Sequence, residues 1–241
     1  MSEPVTTAPR DPPAGSRSGG HRQARALATR RAILAAAAEE FATASYHQAS
    51  LSRILERSKV TKGALYFHFV AKDSIASAVV DEMELLCRGL VVRARSLGLD
   101  PLRTAAQVAR EVQDALAGPV LRAGQRLCTE GFAGPERPGW PFTFWEEVFG
   151  GLFADASRAD LLAPGVDHRA LSRAVVDISA GAFVTSLGVS GLADLAQRVC
   201  QNWELLLGAT ADPQWLAGWR AEGGMAAVLG PHVTGGWVME A

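Results

Sequence analysis

From Ile33 to Leu206 apolar side chains recur every third or fourth position, and no alternating strand pattern, Asn-Gly hairpin or fixed-period repeat competes with them. That spacing lays side chains along one face of an α-helix, and such a face is buried by packing helix on helix. An all-α fold is therefore expected. The chain of 241 residues is long enough for a sizeable core, whether as one large domain or two small ones. Gly98 with Pro101, Gly118-Pro119, Gly134-Pro135, Pro138-Gly139 and Pro164-Gly165 punctuate the pattern. Between them helices are predicted near 72–96, 101–117, 119–130, 141–156, 168–189 and 191–208.

Charge is divided unevenly along the chain. Residues 1–72 carry a net +6 and residues 73–241 a net −7, so the N-terminal third suits a polyanion. Residues 1–21, with Pro4, Pro9, Pro12, Pro13 and the Gly15-Ser16-Arg17-Ser18-Gly19-Gly20 run, are expected to form a disordered arm. The predicted organisation continues with a DNA-binding domain at 22–71, a ligand-binding and dimerisation domain at 72–220, and a flexible tail at 221–241. Cys87, Cys128 and Cys200 are odd in number and widely spaced, which implies reduced thiols in a reducing compartment. The uncharged stretch from Ile178 to Ala193 is 16 residues long and diluted by Ser, Gly and Thr, too short and polar for a membrane span. With no apolar signal segment at the N-terminus, a soluble cytoplasmic protein is expected.

Within 22–71, Ile33, Ala37 and Phe41, with Leu34 and Ala38 beside them, mark the inner face of a helix whose early turns present Arg22, Arg25, Arg30 and Arg31. Leu51, Ile54 and Leu55 mark a short second helix capped by Ser50. A third starts after Thr61, whose hydroxyl can cap it, and turns Leu65 and Phe69 inward. Two short helices joined by a few residues and braced by a longer one form a helix-turn-helix candidate. Its third helix carries suitable chemistry for a duplex. Lys62 can reach a guanine edge, Gly63 permits close approach, Tyr66 and His68 can donate to phosphates, and Phe67 can touch a thymine methyl. Lys72, Arg25 and Thr29 are further candidates for phosphate contacts.

The run Val60-Thr61-Lys62-Gly63-Ala64-Leu65-Tyr66-Phe67-His68-Phe69, preceded by Arg30-Arg31-Ala32-Ile33-Leu34 and Phe41 and followed by Lys72, resembles the N-terminal domain of TetR-type transcriptional repressors. Within that superfamily the wording is similar to the γ-butyrolactone autoregulator receptors of actinomycetes. Asp160-Leu161-Leu162, Val166-Asp167, Gly181-Ala182-Phe183, Leu195, Arg198-Val199, Trp203 and Leu205-Leu206-Leu207 resemble that family's dimer-forming helices, extending the likeness over roughly residues 25–215. The resemblance implies a TetR-like fold and a homodimer on a pseudo-palindromic DNA operator. It further implies release by a γ-butyrolactone-like signal and control of antibiotic biosynthesis or development. The family also contains pseudo-receptors that answer to antibiotics, and that alternative stays open. This sequence departs from the family pattern at Ser45 and at Ser58-Lys59, where the turn usually reads Ala-Gly; Lys59 is therefore expected to adopt a positive backbone angle.

Five aromatics stand between Trp140 and Phe149, a density suited to a cavity wall or a heavy core. The resemblance points to Trp145 as the lactone-contacting tryptophan, with Trp140 second. Phe142, Phe149 and Phe183 are expected to wall an apolar tunnel, and Gln125 and Thr129 to supply polar contacts. Dimerisation is assigned to Val176, Phe183, Leu187, Leu195, Val199 and Trp203, because the 168–189 helix carries two apolar stripes and needs cover on both. No cofactor, metal site or catalytic residue is expected. His21, His47, His68, His168 and His232 are scattered, no Gly-x-Ser-x-Gly elbow or phosphate loop is present, and Glu146-Glu147 reads as a solvated helix face. Two weaker alternatives are an orphan repressor without this ligand class and a protein-docking module with little affinity for DNA.

Overall fold

The computed structural model describes residues 16–132 and 139–230. Eleven α-helices and no strand occur among the described residues: α1 (Ser16–Thr43), α2 (Leu51–Ser58), α3 (Lys62–His68), α4 (Lys72–Ser96), α5 (Pro101–Ala115), α6 (Pro119–Thr129), α7 (Phe142–Arg158), α8 (His168–Ser190), α9 (Leu195–Thr210), α10 (Pro213–Ala221) and α11 (Gly224–Leu229). Local chemistry sets many of the boundaries. Ser50 accepts from Ser52 N at the start of α2, Thr61 from Ala64 N at α3, Asp100 from Arg103 N at α5, and Asp167 from Arg169 N at α8. Pro101, Pro119 and Pro213 open their helices, where a missing N–H costs nothing. At the other ends, Lys59 (φ 55) closes α2 and Gly191 (φ 62) closes α8.

Ile33, Ala37 and Phe41 of α1 bury against Ile54 of α2 and Leu65 and Phe69 at α3, which gives the three-helix head a core of its own. The outer length of α1 then packs on α6 and on the first turns of α4, so this core runs without a break into the rest of the protein. Behind it α4 and α5 pair, α5 lies on α7, and α8 is held between α7 and α9.

Three expectations need correction. Residues 16–21 belong to α1 rather than to the arm, because the Arg- and Ala-rich sequence that follows propagates helix backward through them; residues 1–15 lie outside the described residues. The tail does not begin at 221, since α11 buries Met225 and Leu229 completely against α5 and α9. Arg103 fastens this end: it pairs with Asp100 and with Glu222 and lies over the Trp215 ring at 5.2 Å. Residues 231–241, with Trp237, lie outside the described residues. Finally, α8 taken over its full 23 residues is long and apolar enough to cross a bilayer by composition. Its apolarity serves a different purpose, because its inner face is covered by α7 and α9.

Candidate nucleic-acid interface and effector cavity

The helix α3 stands out from the head with Leu65 and Phe69 turned inward and Lys62, Gly63, Tyr66 and Phe67 turned out. Phe67 is 81% exposed, and Val70, just past the helix, is 86% exposed. A large apolar side chain held in water costs free energy, and contact with thymine methyls or sugars would offset that cost. A methyl group on Gly63 would meet nothing within 4 Å, so the protein's own packing does not require glycine there. His68 is half-buried with its ring 5.1 Å from Phe67, and Lys62 Nζ lies 6.0 Å from the Tyr66 ring centre. Thr61 is exposed while its hydroxyl caps α3. Arg25 is exposed on α1, and Thr29 beside it donates to the Arg25 carbonyl. Val70 escapes sequence reading because an apolar residue next to Phe69 looks like core.

Lys72 occupies a different position from the one expected of a phosphate clamp. Its ammonium donates to the carbonyls of Tyr46 (2.7 Å) and Ala49 (3.0 Å) and lies 4.4 Å from the centre of the Tyr46 ring. The first residue of α4 is thereby tied to the α1–α2 turn. Tyr46 extends the tie: its N–H donates to Glu130 Oε2 (2.7 Å), its ring stacks on Phe132 at 4.9 Å, and its hydroxyl bonds Asp73. Burial and the Asp73 carboxylate push the Tyr46 phenol up to about 12. A second tie joins α1 to α2. Glu40, 1% exposed, accepts from Ser50 N and pairs with Arg53 (3.1 Å) and Arg57 (3.8 Å).

Behind the head, α5, α6, α7, α8 and α9 enclose a cavity of about 720 Å³, counting its mouth. Trp145, Phe149, Phe142 and Phe183 line it as expected, and Gln125 reaches it from α6. Thr129 and Trp140 do not line it. Thr129 is the last residue of α6, exposed one turn past Gln125 and beyond the reach of the cavity, with its hydroxyl donating to the Arg126 carbonyl. Trp140 is buried beside the cavity, and its neighbours Pro141 and Phe142 form the wall. Sequence reading missed Gln113 and Ser179, two polar lining residues that sit inside apolar helical stripes.

The dimer assignment also needs correction. Val176, Phe183, Leu195, Val199 and Trp203 are buried within their own chain and line the cavity, and Leu187 is half-buried. The two apolar stripes of α8 merge into one inner face, because α7 and α9 both pack on the helix and between them cover most of it. The outer faces of α8 and α9 carry a different apolar set: Val184 (52% exposed), Val189 (72%) and Leu205 (74%), with the exposed Gly181 and Gly188 on α8 beside the two valines. Large exposed aliphatics flanked by glycines allow close helix approach and suit a partner surface.

Residues 33–79 match the tetR family of bacterial regulatory proteins, and residues 99–211 match the tetracyclin repressor-like C-terminal domain. The A-factor receptor protein of Streptomyces griseus is 34% identical over 205 residues, which span 84% of this chain and 71% of that protein. A crystal structure of a gamma-butyrolactone receptor (ArpA-like protein) superposes with a TM-score of 0.71 at 30% identity, over 85% of this chain and 98% of that one. CprB from Streptomyces coelicolor in complex with its biological operator sequence superposes with a TM-score of 0.69 at 29% identity, over 84% of this chain and 98% of that one.

Proposed function

Because the chain belongs to the TetR family of bacterial regulatory proteins, we propose that it is a repressor that binds a pseudo-palindromic operator as a homodimer and lets go when a γ-butyrolactone-like molecule enters its cavity. Its targets are genes of antibiotic biosynthesis or development, and its place of action is the cytoplasm, where the operator lies. The observation that carries this reading is one chain holding both an outward-facing α3, with exposed Lys62, Tyr66 and Phe67, and a largely apolar cavity.

In the dimer, two copies of α3 enter successive major grooves about one helical turn apart. Lys62 reads a base edge, and Tyr66, His68, Arg25 and Thr29 contact phosphates or bases. Thr61 presets the entry angle of the helix, and Lys72 holds α4 to the head from within. Much of the affinity is electrostatic and falls steeply with salt. The outer faces of α8 and α9 form the dimer contact.

Signal transfer follows the ties described above. α6 carries Gln125 in the cavity wall, and Glu130 just past its end holds the α1–α2 turn. α4 starts at Lys72, bonded to that same turn. A ligand that displaces α6 therefore moves the head through both attachments and changes the separation of the two α3 helices. Driving such a switch from 1:99 to 99:1 requires about 5.5 kcal/mol of differential affinity for the released state.

The test is a gel-shift assay on duplexes selected from genomic fragments of the native host. We expect a pseudo-palindromic site bound well above random duplex, and its release by a γ-butyrolactone. Release by an antibiotic and not by lactones would make the protein a pseudo-receptor, and absence of any duplex preference would overturn the reading.

A further inference from the structure

Where α1 packs on α4 and α6, a second cleft of about 450 Å³, counting its open side, lies between the head and the helices behind it. Leu34 and Ala38 of α1 and Val79 of α4, all buried, line its depth, and Val120 of α6 closes one side. It shares no lining residue with the cavity enclosed by α5 to α9. Two charged side chains complete the lining, Arg31 and Glu82. Glu82 faces Arg30 at 3.9 Å, and the other arginines that brace the head, Arg53 and Arg57, are paired with Glu40 and Glu39. Arg31 has no hydrogen bond or ion pair among the described residues. It stands about 200° around the helix from Thr29, so it belongs to the cleft and not to the side of α1 that carries Arg25 and Thr29.

The geometry points to a second small-molecule site, one that takes an amphipathic carboxylate, with the anion on the Arg31 guanidinium and a short hydrocarbon body along the apolar depth of the cleft. Arg30, Arg31 and Glu82 together leave one positive charge at the rim, and a guanidinium meets a carboxylate through two parallel N–H donors. A cationic head has no such place, because Glu82 already faces a cation. Burial of the hydrocarbon supplies the rest of the affinity. The seven residues from Arg31 to Ala38 rise about 10 Å along the helix, the reach of roughly eight carbons. An occupant touches α1 of the head together with α4 and α6, so it stabilises the head position in which the cleft has this shape. The site goes beyond the operator and lactone reading and does not depend on it.

The experiment is isothermal titration calorimetry of octanoate and of octanol into the purified full-length protein at low salt. The wild type is expected to bind octanoate about fivefold more tightly than octanol, the upper worth of a partly exposed ion pair, and to lose that margin as salt is added. Arg31→Gln should remove the margin, and Arg31→Lys, which keeps the charge, should retain part of it. Ala35→Phe, which places a ring in the cleft, should weaken octanoate by about tenfold or more. Arg31 and Ala35 are both exposed, and circular dichroism checks that each variant keeps its helices. Octanoate that fails to bind the wild type at millimolar concentration overturns the site, and so does an octanoate affinity that either Arg31→Gln or Ala35→Phe leaves unchanged.

Discussion

Lys59 ends α2 at φ 55, a conformation in which an L side chain crowds its own carbonyl and glycine does not. Lys59→Gly is therefore expected to stabilise the fold by about 1 kcal/mol, measured by urea denaturation. The same change should weaken duplex binding slightly at low salt, since Lys59 is exposed beside α3. Tyr46 offers a second test. The folded chain holds its phenolic proton more tightly than the unfolded chain, whose phenol titrates near 10, so the stabilisation is complete below pH 10 and is lost as pH rises from 10 toward about 12. An alkaline absorbance titration should show a tyrosinate component near 12 that Tyr46→Phe abolishes. Cys87 behaves similarly: burial pushes its thiol up to about 12, and it should resist alkylation at neutral pH. Lys59 was legible in advance because a tight turn demands a positive angle whatever surrounds it. The role of Tyr46 was not, because its partners Asp73, Glu130 and Phe132 lie 27 or more residues away.

At the scale of elements, Glu40 joins α1 to α2. Glu40→Ala would leave Ser50 N without its acceptor and separate two arginines from their buried partner. We expect a loss of roughly 2 kcal/mol, moderated because Arg53 and Arg57 are about half exposed and remain solvated. Chemical denaturation monitored by circular dichroism would measure it, and no change would show that the cluster is solvated in solution. On α3, Lys62→Ala should weaken binding to the selected operator by about 1–3 kcal/mol and relax specificity at one base pair. An equal loss on random duplex would make Lys62 a phosphate contact instead. Most helices were readable because their signals are local: Ser50, Thr61, Asp100 and Asp167 cap where the apolar periodicity begins. Helix α11 was not readable, since Gly223-Gly224 looks like a break and two buried side chains, Met225 and Leu229, are too few to form a stripe.

For the whole molecule, the outer faces of α8 and α9 decide whether two heads can span an operator. Leu205→Glu places a charge on the most exposed apolar residue of that surface while leaving the cavity wall untouched. Sedimentation should show a shift from dimer to monomer, and operator affinity should fall by at least tenfold because one head alone makes half the contacts. A variant that stays dimeric would move the interface elsewhere.

The sequence by itself determined the helical class, the helix-turn-helix and its outward residues, the aromatic richness of the cavity wall, and the family likeness. All of these rest on spacing and caps within a few turns of chain, where each residue's neighbours are fixed by its own helix. Tertiary structure alone decided what an apolar stripe faces. Val176, Phe183, Leu195, Val199 and Trp203 carry the same signal whether they meet a partner subunit or their own cavity, and only the placement of α7, α8 and α9 turned them inward. The same placement left Ser179 open on a buried face and gave Lys72 two carbonyls in place of a phosphate. Periodicity records that a face is covered; what covers it depends on residues that are distant in the chain and adjacent only after folding.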